Sequence, residues 1–475
     1  MEKSYQDTPR SWAIAVACAW NFFWLTIVNR SAGVMFICYQ QEFGINRQEA
    51  SWAFSLMDTV SSFSVIFCSI LYRYVDTRPI SAMGVLLVAM GYFFCCLIYD
   101  VIMVTIVLGV IVGLGQGMMY FSNAIIINQY FLKNRVSGNG IYFAGGTLGS
   151  FFVPPVLFKV VQWCGLRYTF LILGALALNG WAASILLKSP LKMMKERQKT
   201  KEKALENARP PTPEEIKNMP PPPPPYEENP QKSPLGKAAP EENTYVIESN
   251  GTVEKLYSFA AQFDFLLKPI YAMIVLSGIG FSFSFVIYPV TAVDFVSEKG
   301  YSSNTAALIL TTFSIGDISG RLLIGSISDR RYMGRDTMMA AIYFVWSLGW
   351  FIFPLCNKFE HLVPASVLLG FGIGCGTPLY TVLLADYLGI EKMPLTFGVY
   401  RMLLGTASLA RPFCIGFFRD TMKSYKAMYF TLGSYTFLIA CMWLITATIT
   451  RVRSRPSEVR LTTHSGSGRS DPARW

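Results

Sequence analysis

The sequence predicts an all-α membrane protein of twelve transmembrane helices in two sets of six. Of its 475 residues, 52% are hydrophobic and only 15% are charged, which is not the balance of an ordinary soluble protein. Apolar runs recur along the chain, each long enough to cross a hydrocarbon core of roughly 30 Å. One long polar segment, 189–268, divides these runs into two groups.

The apolar runs set the predicted spans. The first six are 12–38, 50–74, 79–98, 101–127, 137–161 and 168–188, and the second six are 269–293, 304–328, 336–356, 361–386, 394–418 and 426–450. The predicted domains are therefore a tail (1–11), a first half (12–188), a linker (189–268), a second half (269–450) and a tail (451–475). The linker begins basic and then becomes rich in proline and acidic residues, a composition typical of disorder.

The basic residues predict the orientation of the chain. The net charge of +11 comes from Lys and Arg in short loops between apolar runs, such as Arg73, Arg78 and Lys133. That distribution follows the positive-inside rule and does not indicate nucleic-acid binding. Both termini and the linker are therefore predicted to be cytoplasmic. Residues 1–10 show no cleavable signal pattern, so the first apolar run is predicted to be a membrane anchor.

The middle of the eighth span carries two charges, Asp317 and Arg321. An i,i+4 pair lies on one face of a helix. Charged residues at membrane depth are costly and indicate a functional site, although two such residues can also neutralise each other and only hold helices together. Gly316 and Gly320 beside them predict a close approach of another backbone.

Four further charges fall inside apolar runs. By helical rise, Arg30, Asp58 and Arg411 lie roughly 12–14 Å below the outer surface, and Arg401 lies with Arg321 roughly 10 Å above the inner one. We expect two substrate-binding sets, an outer one of Arg30 with Asp58 and an inner one of Arg321 with Asp317. The two sets would swap access to one anionic substrate. Arg411 is expected to snorkel toward the outer headgroups. Arg401 could equally belong to a gate.

The loop after the eighth span contains a known pattern. Gly325-Ser-Ile-Ser-Asp329-Arg330, followed by Gly334-Arg335, resembles the loop signature of the major facilitator superfamily with two extra residues. Two six-span halves joined by a polar linker are also the organisation of that superfamily. The resemblance implies that Asp329 and Arg330 bias the inward–outward equilibrium. The alternative is a solvated basic loop.

A narrower resemblance involves both halves. The run Tyr130-Phe-Leu-Lys-Asn-Arg135, followed by Gly138-Asn-Gly140, resembles the second signature of the monocarboxylate transporters. Asp7 and Trp12 keep the ends of the first signature, whose centre differs. The tenth span adds further matches at Gly370, Gly374, Pro378, Leu383, Leu384 and Asp386. The chain is therefore expected to be a divergent member of that family.

The resemblance implies roles for named residues. Arg321 would bind the substrate carboxylate, since a guanidinium pairs bidentately with it, and Asp317 would take part in proton coupling. Arg30 stands where proton-coupled members have a lysine, and an arginine cannot release its proton, so coupling would rest on Asp317 alone. Thr381 replaces a bulky aromatic and would admit a larger solute. The residues assigned to gating are Arg135, Asp329, Arg330, Asp386 and Arg401.

Two partner predictions concern other proteins. Pro220 to Pro225 and Tyr226 form a polyproline run ending in Pro-Pro-Tyr, in which Pro223, Pro224 and Tyr226 suit the aromatic groove of a WW domain. A bare flexible linker explains the same composition. The family resemblance further implies a single-span glycoprotein chaperone.

The predicted function is transport of a small organic anion, a monocarboxylate, with or without a proton, by alternating access in the plasma membrane. The alternatives are a uniporter for amino acids or larger solutes and a non-transporting nutrient sensor. An enzyme is not expected, because no nucleophile, nucleotide-binding or metal-binding pattern occurs. The ten cysteines lie almost entirely in apolar runs without metal-ligand spacing, so neither a metal nor another cofactor is predicted.

Overall fold

The structure, a computed structural model, describes residues 6–45, 47–194, 200 and 261–464. The predicted WW-binding residues Pro223, Pro224 and Tyr226 lie outside this range, as does most of the predicted linker. The side chain of Arg30 is also outside the described part, although its backbone belongs to a helix.

The first half is built from helices of very different lengths. A π-helical turn, Val107–Val112, joins two of them into one continuous rod. The α-helices are α1 (Pro9–Arg30), α2 (Ala32–Phe43), α3 (Arg47–Leu71), α4 (Thr77–Leu97), α5 (Val101–Ile106), α6 (Gly113–Tyr130), α7 (Arg135–Ala177) and α8 (Asn179–Leu186).

The second half follows a short 3₁₀ helix, Ala261–Leu267. Its α-helices are α9 (Pro269–Glu298), α10 (Ser303–Asp329), α11 (Arg335–Leu355), α12 (Phe359–Leu388), α13 (Met393–Ser408), α14 (Arg411–Gly416) and α15 (Tyr425–His464). A second π-helical turn, Phe417–Thr421, extends α14.

The helices follow the predicted spans except where the backbone breaks. The first span is interrupted at Ser31, between α1 and α2. The fifth span and the first part of the sixth lie within α7, which changes direction between them at Gly165, where φ is 79° and ψ is 168°, and the sixth span continues in α8. Glycine adopts this left-handed φ without steric cost. The eleventh span is divided between α13 and α14. Ten stretches of the described chain are long and apolar enough to cross a membrane.

A crossing of α10 and α12 positions the central charges. Gly316 and Gly320 on α10 face Gly370 and Gly374 on α12, so each helix presents a Gly-x-x-x-Gly pair to the other backbone. A Cβ at Gly374 would lie 3.0 Å from the amide nitrogen of Arg321. Such small-residue faces allow membrane helices to pack backbone to backbone. The crossing therefore fixes the backbone that carries the two charges.

Replacing Gly374 with alanine is expected to destabilise the protein by about 1–3 kcal/mol, since the added methyl group overpacks this crossing. It would lie even closer to the carbonyl oxygen of Asp317, which cannot move independently of α10. Gly149→Ala is the matched control, because its Cβ would lie 3.6 Å from the Phe23 ring, an ordinary contact. Thermal unfolding of both purified variants checks the difference, and equal melting temperatures would contradict it.

The two halves meet most extensively along two helix pairs. Helix α7 packs on α10, where Gly140 lies against the carbonyl oxygen of Arg321. Helix α3 packs on α13, where Gly405 lies against the Ser62 side chain. Polar residues on these four helices consequently face the interface between the halves.

Candidate functional site

The predicted charge pair forms a fully buried salt bridge. Arg321 Nε donates to Asp317 Oδ1 at 2.7 Å, and Nη2 donates to Oδ2 at 3.0 Å. The two residues are 1% and 0% exposed. The i,i+4 spacing on α10 makes this bidentate geometry accessible to two side chains of one helix.

The first half contributes to this pair. The Thr147 hydroxyl on α7 donates to Asp317 Oδ2 at 3.0 Å, so the carboxylate receives hydrogen bonds from both halves. Arg321 Nη1 is buried and has no hydrogen-bond partner among the described residues. Its guanidinium carbon lies 5.7 Å from the centre of the Phe143 ring, also on α7. The pair is therefore an interface element with one unused donor.

A second ion pair, between Arg411 of α14 and Asp58 of α3, also joins the two halves. Arg411 Nη1 lies 3.2 Å from Asp58 Oδ2, and Nη2 donates to the Ser282 hydroxyl. The expected snorkelling of Arg411 is wrong, because its side chain is only 11% exposed and is held by these two groups. Sequence depth had suggested Arg30 as the partner of Asp58. The structure pairs Asp58 with Arg411. The Arg30 side chain lies outside the described part, so its pairing with Asp58 stays a prediction.

Arg401 lies at the interface of α3 and α13. Its Nη2 donates to the Ser62 hydroxyl at 3.1 Å, and its guanidinium carbon lies 4.5 Å above the Tyr120 ring. Tyr120 belongs to α6 in the first half and stacks on Phe397 of the second half with ring centres 6.0 Å apart. Arg401 therefore contacts the first half by both a hydrogen bond and a cation–π contact.

Asp386 joins the halves at the end of the helices predicted to be cytoplasmic. Arg135, the first residue of α7, donates to its carboxylate at 2.8 Å, and Arg335, the first residue of α11, pairs with the other oxygen. Arg135 is 5% exposed, so the bond lies largely out of solvent. We call these three residues the Asp386 cluster.

Asp329 makes a further link at the same end. Its carboxylate accepts hydrogen bonds from the backbone amides of Val136 at 3.1 Å and Ser137 at 2.8 Å. The carboxylate of the α10 C-terminus thus satisfies free amides in the first turn of α7 and lies at the positive end of its dipole. Arg330, the adjacent residue of the signature, is exposed.

Thr381 takes part in a buried polar chain between the halves. Its hydroxyl, 3% exposed, donates to Asn139 Oδ1 at 3.0 Å, and Asn139 Nδ2 lies 3.4 Å from Asn128 Oδ1. Thr381 therefore links the second half to the first. Asn139 was not identified as a site residue, although it stands between the two glycines of the second signature.

The remnant of the first signature also has a structural role. Asp7 accepts hydrogen bonds from the backbone amides of Leu132 at 3.1 Å, Lys133 at 2.9 Å and Asn134 at 3.1 Å. Trp12 packs edge-on against Phe131 with ring centres 5.0 Å apart. The two signatures thus contact each other and brace the loop that leads into Arg135. Within the described chain, no cluster of three His, Cys, Asp or Glu residues suits a metal ion.

Comparison with known proteins agrees with this architecture. The model of the Major Facilitator Superfamily matches residues 13–288 and 270–473. The chain has a TM-score of 0.62 and 14% identity to the transporter FucP in its outward conformation, covering 91% of this chain and 99% of that one. It has the same TM-score and 13% identity to the proton:xylose symporter XylE, covering 92% and 94%. These likenesses establish the fold.

Curated relatives narrow the family. Human Monocarboxylate transporter 7 is 25% identical over 96% of this chain and 88% of its own length. Monocarboxylate transporter 12 of Mus musculus is 23% identical over 89% and 82%, and Monocarboxylate transporter 9 of Rattus norvegicus is 23% identical over 91% and 92%. The chain is a multi-pass membrane transporter that belongs to the Major Facilitator Superfamily, where it is a divergent relative of the monocarboxylate transporters.

Proposed function

We propose that this protein carries a small organic monocarboxylate across the plasma membrane by alternating access between its halves. The observation that carries the proposal is the buried Asp317–Arg321 pair, which receives a hydrogen bond from Thr147 of the opposite half. A guanidinium in a membrane interior matches the charge and the planar geometry of a carboxylate. The names of the curated relatives support the same substrate class.

Arg321 suggests how a proton would be linked to the anion. Asp317 already occupies Nε and Nη2 of the guanidinium, so a substrate carboxylate meets only the unused Nη1 while Asp317 is ionised. Protonation of Asp317 would remove its charge and free the bidentate fork. A proton on Asp317 and a carboxylate on Arg321 would then cross the membrane together. An arginine at position 30 cannot relay that proton.

The links at the predicted cytoplasmic end would serve as the inner gate. The Asp386 cluster and the Asp329 cap both join the first half to the second. Substrate release to the cytoplasm requires these links to break, as expected for a rocking motion of two halves around a central site. Arg330 is exposed beside Asp329, so it would influence the inward–outward equilibrium without forming part of the closed gate.

Uptake of radiolabelled acids tests the proposal. Cells expressing the protein are expected to accumulate lactate-sized or larger monocarboxylates, and the uptake should rise as the external pH falls. An amino-acid panel measured alongside discriminates the alternatives. Uptake of neutral amino acids at a rate independent of pH would favour a uniporter, for which the small Thr381 leaves room. A protein at the cell surface that takes up no solute of either panel would contradict transport and favour a sensor.

The predicted WW-domain and glycoprotein partners remain predictions. A pull-down with a peptide of residues 215–230 tests the first, with Tyr226→Ala as its control. Co-expression with candidate single-span glycoproteins, scored by surface abundance, tests the second.

A further inference from the structure

We infer that Arg401 is the residue that first captures the substrate carboxylate. The inference rests on the proposed function and concerns the state in which Asp317 is still ionised. In that state Arg321 has a carboxylate of its own chain on two of its three nitrogens. An incoming anion therefore needs another cation to receive it.

Among the interface side chains that the structure describes, the charges leave Arg401 as that cation. Arg321 is balanced by Asp317, and Arg411 is balanced by Asp58. In the part of the chain that the structure describes, no carboxylate lies within salt-bridge distance of Arg401. Its Nε is buried without a hydrogen-bond partner there, while Nη2 is held by the neutral hydroxyl of Ser62. A half-buried guanidinium with an unused donor is costly, and a bound anion offsets that cost.

Position supports the same assignment. The Arg401 guanidinium covers Tyr120, whose ring centre lies 6.2 Å from that of Phe143. The guanidinium carbon of Arg321 lies 5.7 Å from the centre of the same Phe143 ring. Each of the two arginines thus contacts one ring of the same aromatic pair at the interface between the halves. A carboxylate released by Arg401 has a short path to Arg321 once Asp317 is neutral.

The same accounting limits the substrate class. The Arg401 guanidinium has no carboxylate partner among the described residues, while Arg321 and Arg411 each have one. The described interface therefore has one positive charge to offer, which matches a substrate with a single negative charge. A dicarboxylate would bring a second charge for which the described interface holds no unpaired cation, and Asp58 and Asp317 would repel it. Arg401 therefore selects monoanions over dianions.

Substitution of Arg401 separates this role from a structural one. In purified full-length protein reconstituted in liposomes, Arg401→Gln is expected to raise the KM for a transported monocarboxylate roughly 10- to 100-fold, the range for loss of charge-assisted hydrogen bonds. Arg401→Lys keeps the charge but loses the fork and should give an intermediate KM. Arg419→Gln is the matched control, because Arg419 lies nearby in the chain, is half-exposed and should leave KM unchanged.

Binding is measured on the same samples as the rise in melting temperature that the monocarboxylate causes. Loss of that rise in Arg401→Gln, with a wild-type melting temperature in its absence, supports capture by Arg401. An unchanged KM, or a change confined to the maximal rate, overturns it. If Arg401→Gln does not fold, a wild-type KM in Arg401→Lys and Ser62→Ala also overturns it. If the wild-type protein neither binds nor transports any monocarboxylate, the proposed function falls together with this inference.

Discussion

Replacing Asp317 with alanine will destabilise the protein by about 3–5 kcal/mol, the range for removing one partner of a buried ion pair. Arg321 is 1% exposed and would keep its charge without the carboxylate that binds two of its nitrogens. Water cannot replace that carboxylate without opening the packing of α10 against α7 and α12. Thermal unfolding in detergent, followed by tryptophan fluorescence, measures the loss.

A second variant separates stability from function. Replacing both residues, with Asp317→Ala and Arg321→Met, removes the whole ion pair and should restore most of the lost stability, since buried pairs can be exchanged for apolar residues at little net cost. Transport should nevertheless be absent, because the variant lacks both the guanidinium that would bind the substrate carboxylate and the carboxylate that would carry the proton. A double variant that still transports would show that the pair only holds the helices together.

Asp294→Ala serves as the control for this series. Asp294 also faces an arginine, Arg419, but at 4.0 Å and with both side chains about half exposed. An exposed pair of this kind contributes little to stability, so its loss should change the unfolding free energy by less than about 1 kcal/mol. A loss as large as that of Asp317→Ala would mean that charge removal, rather than burial, accounts for the effect.

Local contacts were predictable from the sequence, and contacts across the halves were not. Asp317 and Arg321 lie four residues apart on one helix, so their contact follows from helical geometry alone. The partner of Asp58 depends on how α3 meets α14, about which helical rise says nothing. Counting helical rise placed Arg30 and Arg411 at the same depth in the membrane. Only the packing of α3 against α14 shows that Arg411 contacts Asp58.

At the predicted cytoplasmic end, too, the sequence indicated which residues matter but not which groups they contact. The loop signature indicated a clamp involving Asp329, but the groups it binds are the backbone amides of Val136 and Ser137, which no side-chain pattern reveals. Asp386 and Arg135 were each assigned to gating, while their contact spans 251 positions of the chain. The break at Ser31 lies inside the first predicted span and was not anticipated, whereas the change of direction at Gly165 falls in the gap between the fifth and sixth predicted spans.

Neutralising Asp386 as Asp386→Asn will shift the protein toward the state open at its predicted cytoplasmic end. The carboxylate holds Arg135 and Arg335, which come from opposite halves. Without its charge the two guanidiniums face each other, and attraction becomes repulsion. Hydrogen bonds to charged groups contribute about 1.5–3 kcal/mol each, so even with Asp386 27% exposed the equilibrium should move tenfold or more.

A cysteine at position 381 can report this opening, because Thr381 is 3% exposed and contacts Asn139 of the other half. In a background whose native cysteines are replaced by serine, Asp386→Asn should speed its reaction with a water-soluble maleimide by roughly tenfold, in step with the shifted equilibrium. Asp76→Asn is the control: Asp76 accepts hydrogen bonds from Thr77 and from Ser189, the residue directly after the first half, and none from the described residues of the second half, so its loss should not open the interface. Equal labelling rates in the two variants would show that Asp329 and the helix packing close this end without the Asp386 cluster, and the gate would then have to be sought at the junction of α7 with α10.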